Sequence, residues 1–464
     1  MLPSRAGASA LEHHPPGPLP RHAQPALAAA LRYARAFRKD PIAFVGDRFA
    51  RYGDLYATTF RGVPLYVTRH PEHIHEVLVS RGASFKKPEE GITARQLRRM
   101  LGRGLVTSNG DLWRRQRRMI NPAFGRKQID GLGAAMVDKT LGLLDRWTPG
   151  ETREVGADMM ALTLGIVART LFDHDPTDER DRIAGALGAF RDITGVAGVL
   201  PPWFPLPSVR RMRRSLADMD DIVYGLIDAR RAEPDERLRA RGDLLSALVL
   251  ARAEGEVGAG AQMTRTELRD EILTLFLAGH ETTSQTLTWT WYLLSQHPAV
   301  EAQLHAELDA VLAGRPPTAA DALPVTDRII LESMRVYPPV TTVTRVAAEP
   351  VEVGGYRVPA GADVACWIYF AHHDPRWWDD PARFDPDRFL PERAAKIPRG
   401  AYAPFGAGQR QCIGKNFALL EARLLLATIA QRFSLRLVPG HPVERLVAVT
   451  MSPRHGMKMT LRAR

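Results

Sequence analysis

One run constrains this chain more than any other: Phe405-Gly406-Ala407-Gly408-Gln409-Arg410-Gln411-Cys412-Ile413-Gly414. It sets one cysteine between small, turn-forming residues and the start of an apolar helix. Glycines at 406, 408 and 414 open backbone conformations closed to other residues and let a large group approach closely. Residues 415–433 carry a helical apolar rhythm, so Cys412 falls just ahead of a helix N-terminus. Free amides and the helix dipole favour an anion there, which holds the thiol as a thiolate. A thiolate is a soft metal ligand, and a single one with no second cysteine or histidine nearby suits a haem iron. The alternative is a tight turn before a helix, with an inert buried cysteine.

Three other patterns carry chemistry. Thr264 and Glu267 form a T-x-x-E capping box that opens a helix. Its apolar run leads into Ala278-Gly279-His280-Glu281-Thr282-Thr283. An acid and hydroxyls are out of place in such a run, and mid-helix glycine costs roughly 1 kcal/mol relative to alanine. Both oddities make sense where a helix passes over a reaction centre. The alternative is a polar turn whose threonines bond back to their own backbone. Glu332 and Arg335 stand at i, i+3 on one helix face, just before Tyr337-Pro338-Pro339 stops the helix. The same spacing recurs at Glu179–Arg182 and Glu236–Arg239, in charge-rich segments that read as solvated surface. Trp113 and Arg117 share a face at i, i+4 in a strongly basic segment.

Taken together, these stretches resemble the cytochrome P450 family. The cysteine run matches the family's Phe-Gly-x-Gly-x-Arg-x-Cys-x-Gly, with Phe405, Gly406, Arg410, Cys412 and Gly414 at fixed positions. The resemblance implies haem b with Cys412 as the iron ligand. It implies that Glu281 and Thr282 deliver protons to dioxygen, with His280 a spacer. It implies that Trp113, Arg117, Arg345 and Arg410 bond the haem carboxylates, a task suited to arginine's planar, permanently charged fork. Glu332 and Arg335 would join Arg388, in Phe384-Asp385-Pro386-Asp387-Arg388-Phe389, as a buried ion network holding the approach to Cys412. Aspartate at 387 replaces the family's glutamate. Substrate would touch loop 86–106, segment 190–206, Phe276, Leu277, Ala278, Val340, Val343 and a late turn at Met451. The implied activity is monooxygenation of an apolar organic substrate such as a fatty acid, terpenoid or steroid, with electrons from a ferredoxin or flavodoxin and its reductase. Rivals are a peroxide-driven peroxygenase, disfavoured by the intact Glu281-Thr282 pair, and a haem sensor or carrier, which would carry an output domain.

The net charge is +11, from 63 basic and 52 acidic side chains. No nucleic-acid motif accompanies it, so an acidic redox partner is the better reading. Arg114, Arg115, Arg118, Arg126, Lys127 and Lys415 form the candidate docking face. Two cysteines exclude a disulfide framework, and Cys366, in an apolar strand-like run, reads as a small core residue. No signal peptide is legible, nor any uncharged apolar run of about 18 residues, so the expectation is a soluble, cytoplasmic monomer without a membrane span.

Helical patterns occupy residues 25–52, 70–82 and most of 112–309, broken at 201–205 and 255–260. Residues 54–69 read as a β-hairpin turning at Arg61-Gly62, and strands return at 351–358 and 363–369. The expectation is a flexible Pro/Ala-rich tail over 1–25, then one large domain over 26–464. That domain is mainly α with a small β-rich part, an α+β class; the family's triangular-prism fold follows from the resemblance alone.

Overall fold

A computed structural model of the chain describes residues 15–17, 35–60, 63–173, 204, 206–251 and 260–464. The helices that matter to the site are α1 (Pro41–Tyr52), α2 (Ile92–Leu101), α3 (Gly110–Ile120), α4 (Gly133–Leu144), α5 (Val155–Phe172), α6 (Pro207–Arg231), α7 (Arg265–Gln296), α8 (Pro324–Val336) and α9 (Lys415–Ala430). The strands are β1 (Leu55–Phe60), β2 (Val63–Thr68), β3 (Phe85–Lys86), β4 (Thr152–Glu154), β5 (Val343–Ala347), β6 (Val351–Val353), β7 (Tyr356–Val358), β8 (Asp363–Cys366), β9 (Phe433–Leu437), β10 (Arg445–Val447), β11 (Met451–Pro453) and β12 (Lys458–Ala463). The described residues are thus mainly helical, with four small sheets. This is the expected α+β class.

The chain divides into two compact units, each gathered from separated stretches. The first comprises Met1–Pro88, Glu332–Cys412 and Arg445–Ser452; the second comprises Glu89–Leu331, Ile413–Glu444 and Pro453–Arg464. No linker composition marks the division, because both units draw on both halves of the sequence.

The first unit is built on a five-stranded sheet in the order β1-β2-β8-β5-β3. The β1–β2 hairpin pairs Leu55 with Thr68; β2 then runs parallel to β8, with Leu65 opposite Asp363. One face buries Ile74, Val77, Leu78, Val364, Cys366 and Ile368. The other packs Phe49 and Val45 of α1 against Tyr56, Val67, Trp367 and Met451. Helix α1 starts where its local chemistry dictates: Asp40 accepts the Ala43 N–H at 3.0 Å and Pro41 fills the first turn. The helix expected over 25–52 is therefore interrupted at Asp40, while residues 18–34 lie outside the described part. The strand expected over 363–369 ends at Cys366, and Ile368–His372 forms a short helix instead.

Within the tail expected to be flexible, residues 15–17 lie against β1, the Ala57 N–H donating to the Pro16 carbonyl at 3.0 Å. The rest of that tail, the hairpin turn at 61–62 and most of the breaks at 201–205 and 255–260 lie outside the described residues.

The second unit centres on α7, which packs on α5, α6 and α9. The capping box forms as read: the Glu267 N–H donates to Thr264 Oγ1 at 3.1 Å, and the Thr264 N–H to Glu267 Oε2 at 2.8 Å. Trp289 and Trp291 are fully buried in its later turns. Helix α5 is long and apolar enough to cross a membrane, with mean hydropathy 1.5, yet 61% of it is buried inside the protein. It contains Asp158 and Arg169 and serves as a core helix.

Candidate functional site

In the first unit the cysteine loop is shaped by two glycines. Gly406 and Gly408 sit at φ +66° and +70°, the left-handed region. A Cβ on Gly408 would stand 1.9 Å from the Leu78 carbonyl oxygen, in the π-helical turn Glu76–Ser80. Gly414 is at φ −83°, a conformation open to any residue, so the freedom expected of it is not used. Cys412 is exposed, and its N–H donates to the Phe405 carbonyl at 3.0 Å. By contrast Cys366 is fully buried in the sheet core, where burial pushes its thiol up to about 12.

The segment leading to that loop is held by ions. Arg335 binds Glu332 at two points, Arg388 Nε reaches Glu332 Oε1 at 3.3 Å, and all three side chains are buried. Arg335 also donates to the carbonyls of His372, Pro381 and Arg383, and Arg388 to that of Asp380. The Asp385 N–H donates to Glu332 Oε1 at 3.0 Å. Burial still pushes the Glu332 carboxyl above its usual range against the pull of both arginines. Asp387 takes no part in the Glu332 hydrogen bonds; its N–H donates to Asp385. A residue the sequence reading missed, His372, links network to loop: its carbonyl takes Arg335, and its Nε2 accepts the Ala403 N–H at 3.1 Å. At Glu236–Arg239 both side chains are exposed and Arg239 pairs with Asp235, as solvated surface should; Glu179–Arg182 lies outside the described residues.

The same unit gathers three cations. Arg345, on β5, is 5% exposed, and burial holds its guanidinium below the usual range. Burial, then the charge of Arg345, brings Arg410 down to about 10. Lys87 is half-buried; that loss of solvent, then the charges of Arg345 and Arg410, brings it down to about 7. Lys87 follows β3, which pairs with β5 at Lys86↔Val346. No motif marks this lysine; only strand pairing brings it beside Arg345. Val340 and Val343 are half-buried nearby in sequence. Met451, expected at the pocket, is fully buried among Phe49, Tyr56, Val67 and Trp367 and packs the core.

In the second unit, α3 buries Trp113 and leaves Arg117 half-buried, whereas Arg114 pairs with Asp111 at the surface and Arg118 is exposed. Arg115 is bound to Glu267 and is not part of an open basic face. On α7 residues 268–277 are all buried, Ala278 is exposed, and Thr282 is half-buried one turn on. These two share one helix face. Glu281 is 9% exposed. Thr282 Oγ1 donates to the Ala278 carbonyl at 2.7 Å, and Thr283 Oγ1 to that of Gly279 at 3.1 Å. Thr286, Thr288 and Thr290 make the same i−4 bond, so this bond does not distinguish Thr282; its exposure beside Ala278 does. Thr283 is 3% exposed. His280 is buried with Nδ1 2.7 Å from the Phe276 carbonyl, as a spacer should be. Phe276 faces away from Ala278, lining a cavity of about 10 Å³ with Phe172, Met219, Ile222 and Ile272. It is buried, as is Leu277, and segment 190–206 lies outside the described residues but for 204 and 206.

The first unit's residues fit an iron porphyrin with two carboxylates: a single exposed thiol on a glycine-shaped loop and three cations that an anion would relieve of mutual repulsion. In the second unit, α7 has a small-residue opening flanked by a hydroxyl and an acid.

Comparison with known proteins agrees. The sequence model of the family described as Cytochrome P450 matches residues 15–458. The chain is 38% identical over 416 residues to cyclooctatin synthase of Streptomyces melanosporofaciens, covering 88% of each. It is 38% identical over 429 residues to cyclooctat-9-en-7-ol 5-monooxygenase of the same organism, covering 90% of each, and 34% identical over 451 residues to pentalenene oxygenase of Streptomyces avermitilis, covering 95% of this chain and 97% of that one. The crystal structure of the cytochrome P450DA haem domain superposes with a TM-score of 0.81 at 28% identity, covering 97% of this chain and 98% of that one.

Proposed function

This chain belongs to the cytochrome P450 family, and from that premise we propose that it is a monooxygenase of cyclic terpenoids fed by a separate ferredoxin or flavodoxin and its reductase. The observation that carries the substrate class is the similarity, across nearly the whole chain, to a synthase named for cyclooctatin and to oxygenases named for cyclooctat-9-en-7-ol and pentalenene. Haem, when bound, supplies the reduction of dioxygen and the transfer of one oxygen atom to substrate. Cys412 would hold the iron as a thiolate, Gly406 and Gly408 giving its loop the conformation it needs. Arg345, Arg410 and Lys87 would take the haem carboxylates, and the family resemblance alone gives Trp113 and Arg117 the same task. The Thr282 hydroxyl orders a proton beside the exposed Ala278, and the Glu281 carboxylate passes protons inward from solvent. Ala278 contributes no more than a methyl group, which leaves a broad apolar skeleton room to approach.

The test is spectroscopic and then chemical. The reduced protein with carbon monoxide should show the strongly red-shifted Soret band of thiolate ligation, and Cys412→His should lose it. Cyclic terpenoids should shift the resting haem spectrum, and a ferredoxin system should convert a bound one to product heavier by one oxygen. Binding of fatty acids alone would overturn the substrate class. Turnover with hydrogen peroxide but with no electron donor would make the protein a peroxygenase.

A further inference from the structure

We infer that Glu271 is a positioning residue whose buried carboxyl latches loop 102–107 onto α7 and so fixes the wall at the N-terminal end of the Ala278–Thr282 face; this rests on the assignment of that face to substrate made above. The loop Gly102-Arg103-Gly104-Leu105-Val106-Thr107 joins α2 to α3. Glu271 is fully buried, and its Oε2 accepts the Leu105 N–H at 3.1 Å. Its neighbour Asp270 accepts the Arg103 N–H at 2.7 Å. The loop is closed on itself by Thr107 Oγ1, which donates to the carbonyls of Gly102 and Gly104. Its far side is tied to α3, where Gln116 Nε2 donates to the Arg103 carbonyl at 2.8 Å, between Trp113 and Arg117.

Contact with α7 is too close for side chains. A Cβ on Gly104 would stand 2.3 Å from Thr274 Oγ1, and one on Gly102, at φ +57°, would stand 2.0 Å from Asp270 Oδ1. Thr274 lies one turn before Ala278 and two before Thr282, so the loop covers the start of the stripe those residues continue. Two buried polar atoms under the loop, Glu271 Oε1 and Thr274 Oγ1, have no hydrogen-bond partner among the described residues. An ionised carboxylate there would be poorly satisfied, which suits a latch that is closed when Glu271 is neutral.

The surrounding charges agree. Those acting on Glu271 are Asp270 and Glu267, both negative; burial, against the opposing pull of the Leu105 N–H and with the push of those two charges, raises its carboxyl to about 8. Asp270 is paired with Arg269, which also binds Asp220 of α6; Glu267 is paired with Arg115 of α3. Helix α2 carries Arg95, Arg98 and Arg99, and the charged residues of α5, Asp158 and Arg169, pair with Arg153 and Asp173. The closed loop therefore binds a proton that the opened, solvated loop releases at the ordinary carboxylate range near 4.5. Closure is strongest below that range, weakens as pH rises through it, and levels off above about 8.

Hydrogen exchange of the haem-loaded protein tests this. After correction for intrinsic chemistry, opening at the Arg103 and Leu105 amides should rise by up to about tenfold per pH unit until about pH 8. Glu271→Gln keeps the acceptor and removes the titration, so its opening should be flat in pH. Glu271→Ala should exchange fast throughout. A pH slope that survives in Glu271→Gln, or a flat profile in the parent protein, overturns the latch. If no terpenoid shifts the haem spectrum while the slope and its loss in Glu271→Gln are both seen, the latch stands and the substrate reading falls.

Discussion

Arg335 grips Glu332 at two points, Nε to Oε2 at 2.7 Å and Nη2 to Oε1 at 2.8 Å, and neither side chain has any exposure. Removing either leaves the other charged and buried, at a cost of about 3–5 kcal/mol. Glu332→Ala and Arg335→Ala should therefore fail to incorporate haem. Glu236→Ala, at the exposed copy of the same spacing, should be within about 0.5 kcal/mol of the parent in thermal unfolding. Equal damage from both would remove the network from its role.

The two loop glycines separate strain from clash. Gly406 has open space where a Cβ would go, so Gly406→Ala should cost only the left-handed conformation, about 1–2 kcal/mol. Gly408→Ala must also displace the Leu78 carbonyl and should lose haem far more readily. The measurement is haem retention during denaturant titration; equal effects would place the loop off the turn at Leu78.

Thr282→Ala should keep haem and substrate spectra but consume reduced cofactor with hydrogen peroxide as the product. Thr283→Ala, behind it in the core, should stay coupled. Glu281→Gln should slow turnover by about 100-fold, the lower end of what positioned proton transfer contributes. Product and peroxide per cofactor consumed decide the matter, and uncoupling in Thr283→Ala instead would move the role one residue on.

Lys87 makes a pH prediction. Its ammonium is depressed to about 7 from an ordinary value near 10.5, so the folded state binds fewer protons than the unfolded one between those values. Stability without haem should accordingly rise with pH across that window and lose this component below about pH 7. Haem carboxylates held by these cations, as proposed, would favour the charged lysine, so haem uptake at about pH 8 should consume a proton. Lys87→Met should flatten both the melting profile and the proton uptake measured in weakly buffered solution.

The candidate docking face is narrower than the charge run suggests. Arg115 belongs to Glu267, whereas Arg118, Arg126 and Lys127 are exposed. Reversal of Arg118 or Lys127 to glutamate should slow reduction by an acidic donor without altering substrate binding. The rate should fall with ionic strength, since exposed charges are screened over about 8 Å at physiological salt. A salt-independent rate would point to an apolar contact.

What was legible in the sequence followed from chemistry that has few alternatives. The capping box and the acid–arginine pair before prolines form as read because local rules decide them. The surroundings of Phe276 and Met451 were not legible, because an apolar side chain looks the same whether it meets a pocket or a core; their neighbours Phe172 and Phe49 are distant in sequence. Lys87 was invisible for a related reason. Its neighbour Arg345 is supplied by strand pairing across about 260 residues, and no local spacing records it. Asp40-Pro41 was legible in principle, as a cap followed by a first-turn proline, and the long helical rhythm overrode it.

The parallel pairing of β2 with β8 sets an order of events during synthesis. Leu65 waits for Asp363, nearly 300 residues later, so at ordinary elongation rates the hairpin spends roughly 15–60 s with one edge open. An open edge on a nearly continuous apolar strand invites the wrong partner. The thiol loop, seated on the turn at Leu78, closes later still. Yield of haem-loaded protein should thus be governed less by final stability than by how well the nascent N-terminal hairpin is shielded, and slower growth or added chaperone should raise it where stabilising substitutions do not.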